Sequence, residues 1–101
     1  MDDLWTDAAT LSELGARIAA RRLSRQWRQV DLAFEAGVSK RTVERIEAGV
    51  SVQTVLFLRV LRALGLLGGL NQLVPAGGPT PMELLRLEKN RRKRGRRGGP
   101  E

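Results

Sequence analysis

The 101-residue chain contains no cysteine, no histidine and no tyrosine. Without cysteine it can form no disulfide and has no thiol nucleophile, and without either cysteine or histidine the usual zinc sites cannot form. General-base chemistry by histidine is excluded as well. We therefore expect a protein that is not an enzyme and that carries no metal and no cofactor.

Long uninterrupted apolar runs are missing too. The most apolar stretch, residues 55–70, contains Arg59 and Arg62 and is shorter than the roughly 20 residues that cross a membrane. The acidic start of the chain does not have the charge pattern of a signal peptide. These features predict a cytoplasmic protein with no membrane partner.

The most informative pattern lies in residues 29–49. Gly37 interrupts two runs of helical spacing, at a place where glycine accepts a positive φ without strain. Ser39 then provides a cap for the second helix, because its hydroxyl can accept a hydrogen bond from the backbone of Arg41 or Thr42. The apolar residues recur at three-residue steps, which places each set on one helix face: Val30, Ala33 and Ala36 before the glycine, and Val43 and Ile46 after it.

The second of these helices carries polar residues on the face opposite Val43 and Ile46. Two helices joined by so short a turn cross at a steep angle, so this face is free to contact another molecule. Its side chains are basic for the most part, which suits the DNA groove. The face consists of Lys40, Arg41, Thr42, Glu44 and Arg45.

This segment resembles the helix-turn-helix of the Cro/repressor-like (Xre) regulators of bacteria and phages. The resemblance covers roughly residues 14–73 and implies an all-α fold, a compact five-helix repressor-like DNA-binding domain with a basic C-terminal tail. We assign residues 1–10 to an N-terminal lead, 11–74 to this domain, and 75–101 to a linker, a short helix and a disordered basic tail. The matching residues are Gln29, Leu32, Ala33, Ala36, Gly37, Val38, Ser39, Thr42, Val43, Arg45, Ile46, Glu47 and Gly49.

The resemblance also implies roles for individual residues. Gln29 would bind a backbone phosphate, and the start of the third helix would read base edges in the major groove. Arg22 in the first helix would pair with Glu47. Two positions depart from the family pattern: Arg28 replaces the usual serine or threonine cap and is a candidate phosphate contact, and Gln26 lies where a glycine is common.

The chemistry of the bases narrows the expected contacts. Arg41 is the residue we first expect to contact guanine, because guanine O6 and N7 can accept two hydrogen bonds from one guanidinium. Lys40 and Arg45 are the alternatives. Thr42 can touch a thymine methyl group, while Glu44 either accepts from a cytosine amino group or pairs with Arg41 or Arg45. The predicted DNA-binding residues are Arg28, Gln29, Ser39, Lys40, Arg41, Thr42, Glu44, Arg45, Ser51 and Gln53.

The sequence patterns of the flanking segments also predict helices. The pattern predicts a first helix from Ser12, with Arg25 facing water and Trp27 in the core after the helix. A fourth helix, with Val55 in its apolar set, is predicted to follow a Ser51 cap and to run to about Leu64.

A fifth helix over residues 66–73 is leucine-rich on more than one side, and leucines left exposed need a partner surface. One recognition helix reads few base pairs, so we expect a homodimer on a palindromic operator. The predicted dimer or partner surface is Leu66, Leu67, Leu70 and Leu73.

The net charge of +7 is concentrated near the end of the chain. Residues 1–79 contain 10 basic and 8 acidic side chains, and residues 80–101 contain 8 and 3. Such a tail, after a short helix at about 83–92, is either a solvated segment or a set of phosphate contacts, and a neighbouring DNA-reading domain favours the second. The candidate contacts are Arg91, Arg92, Lys93, Arg94, Arg96 and Arg97.

These features predict a sequence-specific double-stranded DNA-binding transcriptional regulator, a dimeric repressor or autorepressor. Small proteins of this kind resemble HipB-like antitoxins of type II toxin–antitoxin pairs, which implies a cognate toxin as a further partner. The alternative is a nonspecific nucleic-acid-binding module in which the arginine-rich tail supplies most of the affinity.

Overall fold

The computed structural model describes residues 1–77 and 81–96, and within them the secondary structure is helical, which confirms the all-α prediction. The chain divides into two compact units, Met1–Gly69 and Leu70–Glu101. The helices are α1 (Asp7–Ser24), α2 (Gln29–Ala36), α3 (Lys40–Glu47), α4 (Thr54–Ala63), a 3-10 turn (Leu67–Gly69), α5 (Leu70–Leu73) and α6 (Pro81–Arg96).

Helix α1 begins earlier than its sequence pattern predicts. The hydroxyl of Thr6 accepts a hydrogen bond from the backbone N–H of Ala9 at 3.1 Å, and Asp7 lies in the first turn. A threonine cap and an acidic first turn both stabilise a helix N-terminus. The predicted start at Ser12 is therefore wrong by five residues, because Thr6 is a competing cap that the apolar pattern does not reveal.

The core of the first unit lies where α2 packs against α3 and α4, and α1 packs against α3. Trp27 lies half-buried against this core, as predicted. The predicted apolar set is wrong at Val30 and Val55, whose side chains are 44% and 56% exposed. Leu32 takes the inward position on α2 instead of Val30. The buried apolar residues of the described chain are Ile18, Leu32, Ala33, Val43, Ile46, Val60 and Leu64.

Gly15 lets α1 and α3 approach each other closely. A Cβ atom at Gly15 would lie 2.7 Å from the backbone oxygen of Glu47 and would also collide with that of Ile46. These obstacles are backbone atoms at the end of α3, so a side-chain rotation cannot relieve the clash. The close crossing of α1 and α3 thus depends on the absence of a side chain at Gly15.

Helix α4 begins at Thr54 with Gln53 as its cap, two residues later than the Ser51 cap predicts. Its end is anchored by Arg25, whose guanidinium donates to the carbonyl oxygens of Ala63 and Leu64 at 3.3 and 2.9 Å. Arg25 is exposed, as predicted, and the sequence does not predict its contact with the end of α4. A cation at a helix C-terminus satisfies free carbonyls and opposes the negative end of the helix dipole.

The second unit contains α5 and α6. The predicted helix over 66–73 is divided by Gly68 and Gly69 into the 3-10 turn and α5, so the unit boundary falls inside the predicted domain. Helix α6 continues to Arg96, four residues beyond the predicted end, and the part of the tail before Arg96 is helical rather than disordered. A single Gly95 costs a helix only about 1 kcal/mol, and the surrounding residues are good helix formers.

Among the residues that the structure describes, no single helix is long and apolar enough to cross a membrane. The helical segments Thr54–Ala63 and Leu67–Leu73 reach that length and composition only as a bent pair.

Candidate nucleic-acid interface

Helices α2 and α3 are joined by the turn that the sequence predicts. Gly37 adopts φ 70°, in the left-handed region. The Ser39 hydroxyl then accepts a hydrogen bond from the backbone N–H of Thr42 at 3.1 Å and lies 3.0 Å from the Thr42 hydroxyl. Both local predictions, the glycine turn and the serine cap, are confirmed. The cap fixes the first turn of α3, from which the basic side chains project.

One face of α3 holds the helix in the core and the other is open. Val43 and Ile46 are buried, while Lys40, Arg41 and Arg45 are exposed. Because the buried residues fix the orientation of α3 about its axis, Lys40, Arg41 and Arg45 lie on the part of the helix that faces solvent. Thr42 is half-buried, and Ser39 and Glu44 are exposed.

Glu44 has a partner different from those considered in the sequence. Its carboxylate lies 3.7 Å from the ammonium of Lys40, one helical turn earlier, rather than beside Arg41 or Arg45. The pair is exposed, so it contributes at most a few tenths of a kcal/mol, roughly 0.3–0.5. Arg41 and Arg45 are exposed on the same helix.

The predicted pair of Arg22 and Glu47 forms, and it includes Gln29. The guanidinium of Arg22 donates from Nε to Glu47 Oε2 at 2.7 Å and from its terminal nitrogen to Oε1 at 3.0 Å. Gln29 Nε2 donates to the same Oε1 at 3.0 Å. Arg22 also donates to the Trp27 carbonyl at 2.8 Å, and its hydrogen bond to Glu47 raises the pKa of Arg22.

This network connects three helices at the interface. Arg22 comes from α1, Gln29 from the first residue of α2 and Glu47 from the last residue of α3. Glu47 therefore orients the side chain that the resemblance assigns to a phosphate contact. Gln29 remains a predicted DNA contact, now with its amide held in one orientation.

Arg28 is paired within its own helix turn. Its guanidinium donates to the two carboxylate oxygens of Asp31 at 3.1 and 3.0 Å, and its backbone N–H donates to Asp31 at 2.7 Å. Asp31 thus supplies the reciprocal half of a capping box at the start of α2, in which the carboxylate three residues after the cap accepts from the backbone N–H of the cap residue. The hydrogen bonds from Arg28 lower the pKa of Asp31, and Asp31 raises the pKa of Arg28. Arg28 remains exposed beside Gln29.

The turn between α1 and α2 contains a strained residue. Gln26 adopts φ 59°, where most side chains meet a steric penalty. This left-handed conformation accounts for the glycine that is common at this position in the family that the sequence resembles. After Gln26, Trp27 lies under the Arg25 guanidinium, 5.1 Å from the ring centre, a cation–π arrangement.

The remaining predicted contacts are divided between the two units. Ser51 and Gln53 are exposed in the loop between α3 and α4, beyond Gly49 at φ 79°. Of the leucines, Leu66 packs against the core of the first unit and Leu67 is half-buried, whereas Leu70 and Leu73 are 36% and 75% exposed in the second.

The tail residues are described only in part. Arg91 is exposed and lies 3.9 Å from Glu88. Arg92, Lys93, Arg94 and Arg96 belong to the backbone of α6. The structure does not describe their side chains, and Arg97 lies outside the described residues. The tail contacts therefore stay predictions.

Sequence reasoning missed Asp31, Arg25 and Gly15. A signal for Asp31 was available, since an acidic residue three positions after a helix start is the second half of a capping box. Arg25 and Gly15 carry no local signal, because their partners lie on α4 and α3. These three residues stabilise the helices that carry the interface and are not themselves predicted DNA contacts.

An exposed basic helix held by a glycine turn, a serine cap and a buried apolar face defines the class of helix-turn-helix proteins. A family comparison matches residues 13–72 to the helix-turn-helix domain. The match covers more than half of the chain, so the protein belongs to this family, and the domain implies binding to DNA. No curated protein matches the chain.

Proposed function

We propose that the protein is a transcriptional regulator that binds a palindromic double-stranded DNA operator as a homodimer and represses by occupying the site. The observation that carries the proposal is the open face of α3, where Lys40, Arg41 and Arg45 are exposed above a buried Val43 and Ile46. Guanidinium groups on a rigid helix can make bidentate contacts to guanine in the major groove. The proposal implies a DNA-binding protein without catalytic activity. Its location would be the cytoplasm, and the bacterial nucleoid when it is bound to DNA.

Backbone contacts would surround this reading face. Arg28 and Gln29 stand at the start of α2, and Ser51 and Gln53 stand in the loop after α3. Such contacts to phosphate set the register of a protein on the duplex, while base contacts set its sequence preference. The fixed orientation of Gln29 by Glu47 supports a phosphate contact at a defined place.

The proposal is tested by selecting bound sequences from a random duplex library at near-physiological salt, where nonspecific phosphate binding is weakened. We expect an enriched palindrome whose half-sites lie about one helical turn apart. Measurable binding without enrichment would contradict sequence-specific recognition.

The same selection separates this function from nonspecific binding through the tail. The affinity and site preference of the full chain would be compared with those of a chain that lacks residues 89–101. A specific regulator loses affinity by a similar factor on all sequences and keeps its site preference. A nonspecific module driven by the tail loses nearly all its affinity.

A second candidate function, that of an antitoxin, is favoured by the apolar surface of the second unit. Leu73, Met82, Leu85 and Leu87 are 75%, 75%, 65% and 57% exposed. None of them belongs to the proposed DNA-reading face, and exposed apolar patches mark surfaces that bind a protein partner.

The antitoxin proposal requires a partner protein encoded beside the gene. Co-expression with the neighbouring reading frames should yield a complex that co-elutes with the chain. Leu73→Asp and Leu85→Asp should weaken the complex, and the matched Phe34→Asp, at an 83% exposed residue of α2, should not. Absence of any complex would refute this candidate function.

A further inference from the structure

Asp31 holds the guanidinium of Arg28 along one of its edges. Arg28 donates from Nε to Asp31 Oδ2 at 3.1 Å and from Nη2 to Oδ1 at 3.0 Å. The same carboxylate accepts a hydrogen bond from the backbone N–H of Arg28 at 2.7 Å. Asp31 therefore fixes both the backbone and the side chain of a residue that is a predicted phosphate contact.

The other edge of the Arg28 guanidinium is open. A guanidinium has five N–H donors in a planar fork, and Asp31 accepts from two of them, the Nε–H and one on Nη2. The second Nη2 hydrogen and one Nη1 hydrogen are parallel and point from the end of the side chain. Two parallel donors match two oxygens of a phosphate. Because the Arg28 side chain is 79% exposed, a phosphate can reach this end while the side stays paired.

We propose that Asp31 is a positioning residue for DNA binding, which holds Arg28 so that the free end of its guanidinium binds a backbone phosphate. The inference rests on the proposed function and deepens it, since it gives an acidic side chain a favourable role in DNA binding. An arginine that is already ordered loses less side-chain entropy when it binds. Asp31 raises the affinity through this order, although its own charge repels the phosphate.

The geometry of this pair differs from that of two other exposed ion pairs in the first unit. Lys40 and Glu44 are 3.7 Å apart, and Arg17 donates a single hydrogen bond to Glu13. Exposed pairs of this kind order their side chains weakly, whereas a two-pronged pair of arginine and carboxylate has a defined geometry. The two-pronged pair is the one that lies at a predicted phosphate contact.

The next side chain along the chain is held in a similar way. Gln29 Nε2 donates to Glu47 Oε1 at 3.0 Å, and its amide has a second hydrogen for a phosphate. Arg28 and Gln29 thus each spend part of their donors on a carboxylate and keep the rest. Phosphate contacts from two ordered, adjacent side chains would fix the register of α2 on the duplex.

The first test compares two variants of the full chain that each lose one negative charge from α2. Their affinity for the selected operator is measured by fluorescence anisotropy. Asp31→Asn keeps an oxygen for the backbone N–H of Arg28 but cannot hold the guanidinium with two charged oxygens. We expect it to weaken binding about threefold to tenfold. The matched control is Glu35→Gln, at another exposed carboxylate of α2, which should bind as tightly as the parent chain or more tightly.

A double-mutant cycle with Arg28→Lys shows whether Asp31 acts through Arg28. Lysine keeps the positive charge but lacks the planar fork. Arg28→Lys should weaken operator binding about threefold to tenfold in the parent chain and in Glu35→Gln. In the Asp31→Asn background the same change should weaken binding less than about twofold, because the ordered geometry is already lost.

A measurement without DNA separates side-chain order from a loss of fold. The heteronuclear NOE of the Arg28 Nε–H group reports motion of the guanidinium on the ps–ns timescale. The NOE should be high in the parent chain and in Glu35→Gln, and it should fall in Asp31→Asn. The backbone NOE values of α2 should be the same in all three chains.

Weaker binding by Asp31→Asn, together with its coupling to Arg28 and a mobile guanidinium, supports the proposal. Tighter binding by Asp31→Asn would show that Asp31 only neutralises Arg28. That result, equal effects of Asp31→Asn and Glu35→Gln, or a mobile Arg28 guanidinium in the parent chain overturns the inference and leaves the proposed function standing. The last of these needs no variant. A selection that yields no preferred operator overturns the proposed function and the inference with it.

Discussion

Arg22 and Glu47 are 25 residues apart in sequence, yet they form a two-pronged ion pair with N–O distances of 2.7 and 3.0 Å. Their side chains are only 11% and 8% exposed. The pair joins α1 to the end of the recognition helix, and Glu47 also accepts a hydrogen bond from Gln29. The relative orientation of α1, α2 and α3 therefore depends on a charge pair that is largely withdrawn from water.

Removal of one partner should destabilise the fold strongly. We expect Glu47→Gln to lower the free energy of unfolding by about 3–5 kcal/mol, because Arg22 keeps a buried charge without its carboxylate. The matched control is Glu13→Gln, since Glu13 pairs with Arg17 at 2.8 Å but both side chains are well exposed. That change should cost less than about 1 kcal/mol. Equal losses for the two variants in urea denaturation would contradict the structural role of the buried pair.

A methyl group at Gly15 should disturb the crossing of α1 and α3. Gly15→Ala places a Cβ atom 2.7 Å from the Glu47 backbone oxygen, and we expect a loss of about 1–3 kcal/mol. Gly68→Ala is the control, because a Cβ at that position meets nothing within 4 Å. Both are measured by urea denaturation at equilibrium. A Gly15→Ala variant as stable as the parent chain would mean that the helices do not approach this closely.

The strained turn before α2 offers a stabilising substitution. Gln26 has φ 59°, and glycine adopts this region without the steric cost of about 1–2 kcal/mol. Part of this gain is lost to the greater freedom of glycine in the unfolded chain, so we expect Gln26→Gly to add about 0.5–1 kcal/mol of stability. The reciprocal change, Gly37→Ala at φ 70°, should destabilise. Thermal unfolding of the two variants should give shifts of opposite sign.

The cap formed by Asp31 should be lost in acid. Hydrogen bonds from Arg28 lower the pKa of Asp31, so its contribution is complete above the unfolded-state pKa of about 3.9 and is lost as the pH falls through the lower folded-state value. Asp31→Asn should therefore flatten the decrease in melting temperature between about pH 5 and pH 2. Glu35→Gln, at another exposed carboxylate of α2, serves as the control. Parallel curves for the parent chain and Asp31→Asn would contradict the assignment of the cap.

What the sequence predicts well is chemistry that acts within a few residues. The left-handed Gly37 and the Ser39 cap follow from residue type and spacing, and the Arg22 and Glu47 pair follows from the family resemblance. Two features of the fold could not be predicted, because they depend on contacts between residues that are far apart in sequence. The role of Arg25 depends on where α4 ends, and that of Gly15 depends on the distance between α1 and α3.

The helix boundaries show a second limit. Thr6 and Ser12 are both able to cap α1, and apolar spacing cannot choose between them when the first turn projects beyond the core. On α2 the three-residue steps through Val30, Ala33 and Ala36 indicate one face, and Ala33 on that face is buried. Packing also buries Leu32 and leaves Val30 at 44% exposure. Periodicity shows which residues share a face, and packing decides which of them are covered.

The central claim is that α3 reads bases, and Arg41 tests it most directly. The measurement is fluorescence anisotropy with the selected operator and with every single-base-pair variant of one half-site, for the parent chain, Arg41→Ala and Arg59→Ala. Arg59 is the matched control, an exposed arginine on α4 whose removal changes the net charge equally. We expect Arg41→Ala to abolish the preference at one or two base pairs, worth about 1–3 kcal/mol each, while Arg59→Ala preserves every preference. If both variants weaken binding to all sequences by the same factor, Arg41 contacts only phosphate and the claim is contradicted.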